Sequence, residues 1–259
     1  MSGGRLSDGH QDAPANAIQA PGTDEALWRA WDGWDAMEPA SLPESGRVVV
    51  VAAHPDDEVL GFGGTMALLA GRGVRLTVVS VTDGEGSHPG SRIVTPASLA
   101  RLRADELRAA LTELGAGQAE IVRLGVPDTG VADHEEQLAD ALARLLRGAD
   151  MVAAPWTGDV HGDHEAAGRA ARTAARRTGT PCSLYPVWMW HWARPDDPRV
   201  PWKSARRVEL PARVQELKRA AIDRFTTQIH PLGPGPGEAA VLPPEELAHH
   251  LRPTEVLFQ

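Results

Sequence analysis

The chain of 259 residues lacks several things, and each shortage removes a class of protein. Its single cysteine, Cys182, cannot close a disulfide within the chain, so nothing marks a stapled secreted domain. No apolar run approaches the roughly 20 residues that cross a bilayer, so no membrane span is expected. The stretch Met1 to His10 has no signal-peptide core, and the expected location is the cytoplasm. Basic charge is also short: 26 Lys and Arg stand against 35 Asp and Glu, a formal net charge of -9. Binding along a phosphate backbone needs a basic face, so nucleic acid is not expected as a partner. No internal repeat recurs at a solenoid period.

What is present is length enough for one large core and a clear alternation of elements. Arg47-Val-Val-Val-Val-Ala-Ala53 has no polar interior and reads as a strand buried on both faces. It stops at His54-Pro55-Asp56-Asp57-Glu58, followed by the small, flexible stretch Gly61-Phe62-Gly63-Gly64. Further strands are predicted over 74–81, 120–124 and 150–154, with helices over 61–72, 96–114, 133–146 and 164–177. Strands alternating with helices of this length predict an α/β fold with a mostly parallel sheet and helices on both faces. The strand ends then share one edge, where such folds bind their substrates.

Outside the 47–180 core the pattern loosens. Residues 1–22 are rich in Gly, Ser, Ala and Pro and are expected to be mobile. A helix is predicted from Thr23, with Thr23 as its cap and Leu27, Trp31 and Trp34 on one face, leading through a linker to residue 46. Residues 181–259 form a smaller, irregular part on the substrate side. A strand is predicted over 183–192 with Trp188, Trp190 and Trp192 on one face. A short strand over 207–210 and helices over 212–225 and 245–251 follow. The final Glu255-Val-Leu-Phe-Gln259 matches much of a viral protease recognition sequence.

His54, Asp57 and His164 form the strongest chemical set. Each follows an apolar strand, and two imidazoles with one carboxylate half-fill a coordination sphere, leaving positions for water and substrate. Asp56 is adjacent yet not needed as a ligand, and suits a general base beside a metal-bound water. Glu58 is placed to cap the helix that follows. His161 and Asp163 read as an imidazole–carboxylate pair, in which a protonated ring stabilises an oxyanion.

These motifs carry a resemblance. His54-Pro55-Asp56-Asp57-Glu58 resembles the A-H-P-D-D-E signature of the PIG-L/LmbE-like family of zinc-dependent N-acetyl-sugar deacetylases, and His161-Gly162-Asp163-His164 resembles its H-x-D-H signature. The resemblance covers about residues 47 to 180 and implies a Rossmann-like core, Zn²⁺ (Fe²⁺ also suits the ligand set) and a small amino-sugar substrate. It implies His54, Asp57 and His164 as metal ligands, Asp56 as base, and His161 as oxyanion stabiliser. It adds Arg103 and Asp128 as substrate contacts. Family members form several oligomeric states, which leaves room for a homo-oligomer. Asp159 stands where mycothiol-type deacetylases carry a mobile tyrosine, and Phe225 where the family often has histidine. The implied reaction is hydrolysis of an N-acyl group on an amino sugar. Alternatives are an amidase cleaving a thiol-sugar conjugate and a non-haem Fe(II) oxygenase, whose ligands usually sit on an all-β fold with different spacing.

Overall fold

The computed structural model describes residues 17, 18 and 20–259, so most of the tail expected to be mobile lies outside the described residues. Two short helices, α1 (Glu25–Arg29) and α2 (Gly33–Ala36), precede a two-residue strand, β1 (Glu38–Pro39). The central strand β2 (Arg47–Ala52) is apolar on both sides because both sides are covered. Val48 and Val50 enter one buried cluster, and Val49 and Val51 enter the other. Then follow α3 (Asp57–Gly71), β3 (Arg75–Ser80), α4 (Pro96–Glu113), β4 (Glu120–Arg123), α5 (Glu135–Leu145), β5 (Met151–Pro155), α6 (Gly162–Thr178) and β6 (Cys182–Tyr185). The chain closes with α7 (Met189–Trp192), β7 (Ala205–Glu209), α8 (Ala212–Ile222), α9 (Thr226–Ile229), α10 (Pro244–His250) and β8 (Thr254–Phe258).

The eight strands form one sheet in the order β1-β7-β8-β6-β5-β2-β3-β4. All pairings are parallel except those of β8, which runs antiparallel to β6 and β7. The order reverses between β2 and β5: β2 leads through α3 to β3 on one side, and β5 leads through α6 to β6 on the other. Carboxyl ends that diverge in this way open a crevice between them, so topology alone brings the loop after β2 beside the loop after β5. A mostly parallel sheet also counts against the oxygenase alternative, which rested on the two-histidine, one-carboxylate set but usually places it on an all-β fold. Alanines 166, 167, 170, 171 and 174 face the core from α6 and are fully buried, which lets that helix lie close to the sheet.

Three expectations are corrected, and the C-terminal segment finds its place. The stretch Gly61–Gly64 is not flexible; it is buried inside α3, which opens at Asp57. A Cβ at Gly61 would sit 2.2 Å from the Tyr185 ring and one at Gly64 2.5 Å from Leu210, so the glycines serve close packing. The strand expected over 183–192 ends at Tyr185, and Trp190 and Trp192 lie on the single turn of α7. The N–H groups of Val187, Trp188 and Met189 all donate to the Asp159 carboxylate, which curls the backbone out of the sheet. The first helix is capped by Asp24, which accepts from the Ala26 N–H at 2.8 Å, and lasts five residues. Trp28 is therefore buried while Leu27 is exposed. Finally, Glu255 to Phe258 lies within β8, in the middle of the sheet, with Val256, Leu257 and Phe258 in the core. Burying each such side chain is worth about 1.5–3 kcal/mol.

Candidate metal centre at the switch point

β2 delivers His54 and β5 delivers the loop that starts α6 with His164, so side chains 110 positions apart meet. His54 Nδ1 lies 3.3 Å from His164 Nε2 and 3.4 Å from Asp57 Oδ2, and Asp57 Oδ1 lies 3.2 Å from His164 Nε2. Asp57 meets the two imidazoles through different carboxylate oxygens, so the three residues form a triangle whose spacings are close to the about 3.3–3.5 Å that separates ligand atoms about 2.0–2.2 Å from a tetrahedral zinc. The outer nitrogens are held in place. His164 Nδ1 is 2.7 Å from Asp159, and His54 Nε2 is 3.1 Å from Asp128 and 3.3 Å from Asp163. A carboxylate on one ring nitrogen fixes the tautomer that presents the other nitrogen to a metal. The donor set and its geometry fit a divalent cation.

Other groupings within metal-ligand reach are His54 with His161 and His164, and His54 with Asp128 and Asp163. The second uses the outer nitrogen of His54. Its carboxylates already accept backbone N–H groups: Asp163 from Thr129 at 2.7 Å and Val131 at 3.1 Å, and Asp128 from Gly86 at 2.8 Å. They read as supports of His54.

Charge follows the same arrangement. Burial alone would lower the pKa of His54, but Asp128, Asp163 and Asp57 outweigh it and raise it well above the usual value. Burial likewise opposes a charged His164, and Asp57 and Asp159 raise it to about 9. Asp57 is held well below the carboxylate range because His164 and His54 outweigh its burial. So many carboxylates around two imidazoles make a pocket of negative potential that a cation relieves.

Asp56 lies beside this triangle and is raised to about 6 by burial, against the pull of Arg103. Its φ of 150° is strained for a residue with a side chain, at a cost of roughly 1–3 kcal/mol. Two side chains over-determine that conformation. Glu58 accepts the Asp56 N–H at 3.2 Å, and Arg103 donates to the Asp56 carboxylate at 3.0 Å and to the Pro55 carbonyl at 2.8 Å. Glu58 thus reaches back to the residue ahead of α3 and does not cap that helix as expected, since no side chain caps its start. Arg103 also donates to the Gly84 carbonyl, and its Nε has no partner.

His161 stacks on His164 with ring centroids 4.5 Å apart, and its buried Nδ1 has no partner. The pair expected with Asp163 does not form, because Asp163 is turned to His54 and to the 129–131 backbone. Burial and the neighbouring imidazoles push His161 down to about 3, so the ring is neutral rather than protonated. Phe225 is a core residue under α4 and α8. Asp159 is the residue that sequence reasoning missed. It was read only as a departure from a tyrosine, although an acid five positions before His164 was the available signal.

His54, Asp56, Asp57, His161 and His164 line a cavity of about 1070 Å³ that also takes in Arg103, Asp128 and residues of the N-terminal segment, α7 and α10. A doubly wound sheet whose switch point holds two carboxylate-braced histidines and an aspartate around one point defines a class of α/β proteins with a metal-type centre. The PIG-L family, described as GlcNAc-PI de-N-acetylase, matches residues 49–175. A 1D-myo-inositol 2-acetamido-2-deoxy-alpha-D-glucopyranoside deacetylase of Streptomyces avermitilis is 32% identical over 219 residues, 70% of this chain and 72% of the relative. The chain belongs to the PIG-L family. Coverage of several other relatives is smaller: against the deacetylase of the same description from Actinosynnema mirum, identity is 40% over 94 residues, 36% of this chain and 30% of that protein's length. Among solved structures, the zinc-inhibited form of the teicoplanin deacetylase Orf2 shares the fold, with a TM-score of 0.56 at 19% identity over 71% of this chain and 85% of its own. Among the described residues no helix is long and apolar enough to cross a membrane.

Proposed function

We propose that the protein is a zinc-dependent hydrolase that removes an N-acetyl group from an amino sugar. The observation that carries this reading is the triangle of His54 Nδ1, Asp57 and His164 Nε2, sized for a metal and opening into the same cavity as Asp56. Family membership and the names of the relatives support the substrate class. His54, Asp57 and His164 would hold the ion, which when bound would acidify a water and polarise the acyl carbonyl.

The remaining steps belong to the chain's own side chains. Asp56, held by Arg103 and Glu58, takes a proton from the attacking water and returns it to the departing amine. Its pKa near 6 suits both transfers at neutral pH. His161 offers a neutral N–H donor toward the developing oxyanion. A neutral ring acts by hydrogen bonding rather than by charge. Asp163 and Asp128 orient His54, and Asp163 serves catalysis by holding that ring rather than by pairing with His161. Asp128 and Arg103 are the groups we assign to substrate hydroxyls, since both line the cavity.

The test is acetate release from N-acetylglucosaminyl compounds by zinc-loaded protein, with a thiol-sugar amide as a second arm. Asp56→Asn is expected to lower turnover by roughly 10²–10⁴-fold and to leave bound zinc unchanged. Near wild-type turnover in this variant would remove the base assignment. Elemental analysis of protein purified without oxygen distinguishes zinc from iron.

A further inference from the structure

Part of the cavity is not used by the proposed chemistry. Ile18, Pro21, Trp188, Val241, Leu242 and Pro243 line it, and all six lie outside the family-matched residues 49–175. Most charged groups in that part are engaged with one another. Glu25 is bound by Arg252 and His249, Glu246 by His191, and Asp24 caps α1. Glu245 is the exception and is exposed. What remains available to a ligand is mainly apolar. At about 1070 Å³ the cavity is at the top of the range of roughly 300–1,000 Å³ that holds drug-sized molecules, more than one sugar ring fills.

The N-terminal part of this lining is fixed by specific bonds. Thr23 donates its N–H to the His191 carbonyl at 2.8 Å and its hydroxyl to the Ala193 carbonyl at 2.6 Å. The His191 ring lies 2.9 Å from the Ala20 carbonyl through Nε2 and 2.8 Å from Glu246 through Nδ1. The backbone of Gly22 lies against that ring so closely that a Cβ would be 2.6 Å from Nδ1. A segment held by three bonds and a flush contact, against a ring that Glu246 holds in turn, is a built wall.

We propose that residues 17, 18 and 20–24, pinned by His191, form a specificity wall that seats an apolar substituent of the amino-sugar substrate. The protein then prefers a sugar bearing an alkyl or aryl group over the bare sugar. The substituent comes from the glycosidic position or from the acyl chain, and both offer the same chemistry to the wall. The proposal rests on the deacetylase reading for what is hydrolysed but can be tested by binding alone.

Calorimetry on the full zinc-loaded chain compares three ligands: methyl N-acetylglucosaminide, its hexyl glycoside, and the methyl glycoside of N-hexanoylglucosamine. One hexyl compound is expected to bind at least about tenfold tighter than the methyl reference, and which one identifies the source of the substituent. The gain is expected to shrink to under about threefold in Ile18→Ser, which removes apolar wall surface, and in His191→Ala, which removes the pin. The proposal is overturned if neither hexyl compound gains over the reference, or if the gain persists in both variants. Acetate release is read in parallel: tight, wall-dependent binding without turnover would sink the deacetylase reading and leave the wall standing.

Discussion

At the level of single side chains, Asp159 fixes two things at once: it braces the Nδ1 of His164 and ties down the turn that starts α7. An amide in its place can donate to Nδ1, which would drive the proton to Nε2 and turn the inner nitrogen away from coordination. Asp159→Asn is therefore expected to weaken zinc by about 10–100-fold, measured by competition with a chromophoric chelator. Affinity within about twofold of wild type would show that the brace is not needed. Arg103 gives a second residue-level prediction. Removing its charge makes the Asp56 carboxylate harder to ionise, so in Arg103→Gln the acid limb of the kcat/KM profile moves to higher pH. An unmoved limb would show that the ion pair does not tune the base. The motif residues themselves were legible, since clustered His and Asp after apolar strands point to few other chemistries. His161 was legible in place but not in charge, because whether Asp163 faces it or His54 is decided by loop geometry.

At the scale of elements, a strand or helix was readable where its own residues determine it and unreadable where a distant side chain does. β2, β3 and β5 show in the sequence as apolar runs. α7 does not, because the carboxylate that curls it sits on another loop. β8 was hidden for a similar reason: five residues cannot reveal that their partners are β6 and β7. Its Glu255 accepts from the N–H groups of Gly64 and Thr65 and pairs with Lys218 at 2.7 Å, all buried. Glu255→Ala leaves Lys218 buried without its counter-ion and is expected to cost about 3–5 kcal/mol, read by denaturant melts. A loss below about 1 kcal/mol would mean the lysine escapes to solvent.

The His191 pin has a pH window. His191 donates from both ring nitrogens to oxygen acceptors, and the bond to Glu246 raises its pKa. Its contribution is present below the unfolded value and is lost as pH rises through the folded one. Glu246 is pulled to about 2, with His191 and His250 outweighing its burial, so its contribution is present above its ordinary value and is lost only in strong acid. The buried His250 beside it is lowered by burial, against the pull of Glu246. The segment is therefore held best between about pH 4.5 and 6.5 and loosens above. Protection of the Thr23 amide against hydrogen exchange, corrected with His191→Gln as reference, is expected to fall above that window. Protection that does not change with pH would show that the ring holds the segment without its charge.

For the molecule as a whole, the sequence predicted a mostly parallel α/β sheet but not the strand order, which depends on pairings that no local pattern encodes. That order is what makes the centre: two loops with incomplete ligand sets become one site where the sheet reverses. Four carboxylates, from Asp57, Asp128, Asp159 and Asp163, surround the two imidazoles His54 and His164. Zinc at about 100 times its dissociation constant is expected to stabilise the fold by about 2.7 kcal/mol, on the order of 5–10 °C in Tm. Chelation with no change in Tm would argue that the ion does not bind the native state.

The place of β8 has a further consequence. It follows every other strand in the chain yet occupies a slot between two of them, so the sheet can be nearly assembled with one vacancy. The Pro- and Gly-rich loop 231–237 offers a natural site for a single cut ahead of that strand. A molecule nicked there should survive as two pieces that hold together, come apart in denaturant, and regain the whole when the smaller piece is supplied afresh, which makes it a candidate for reconstitution from halves.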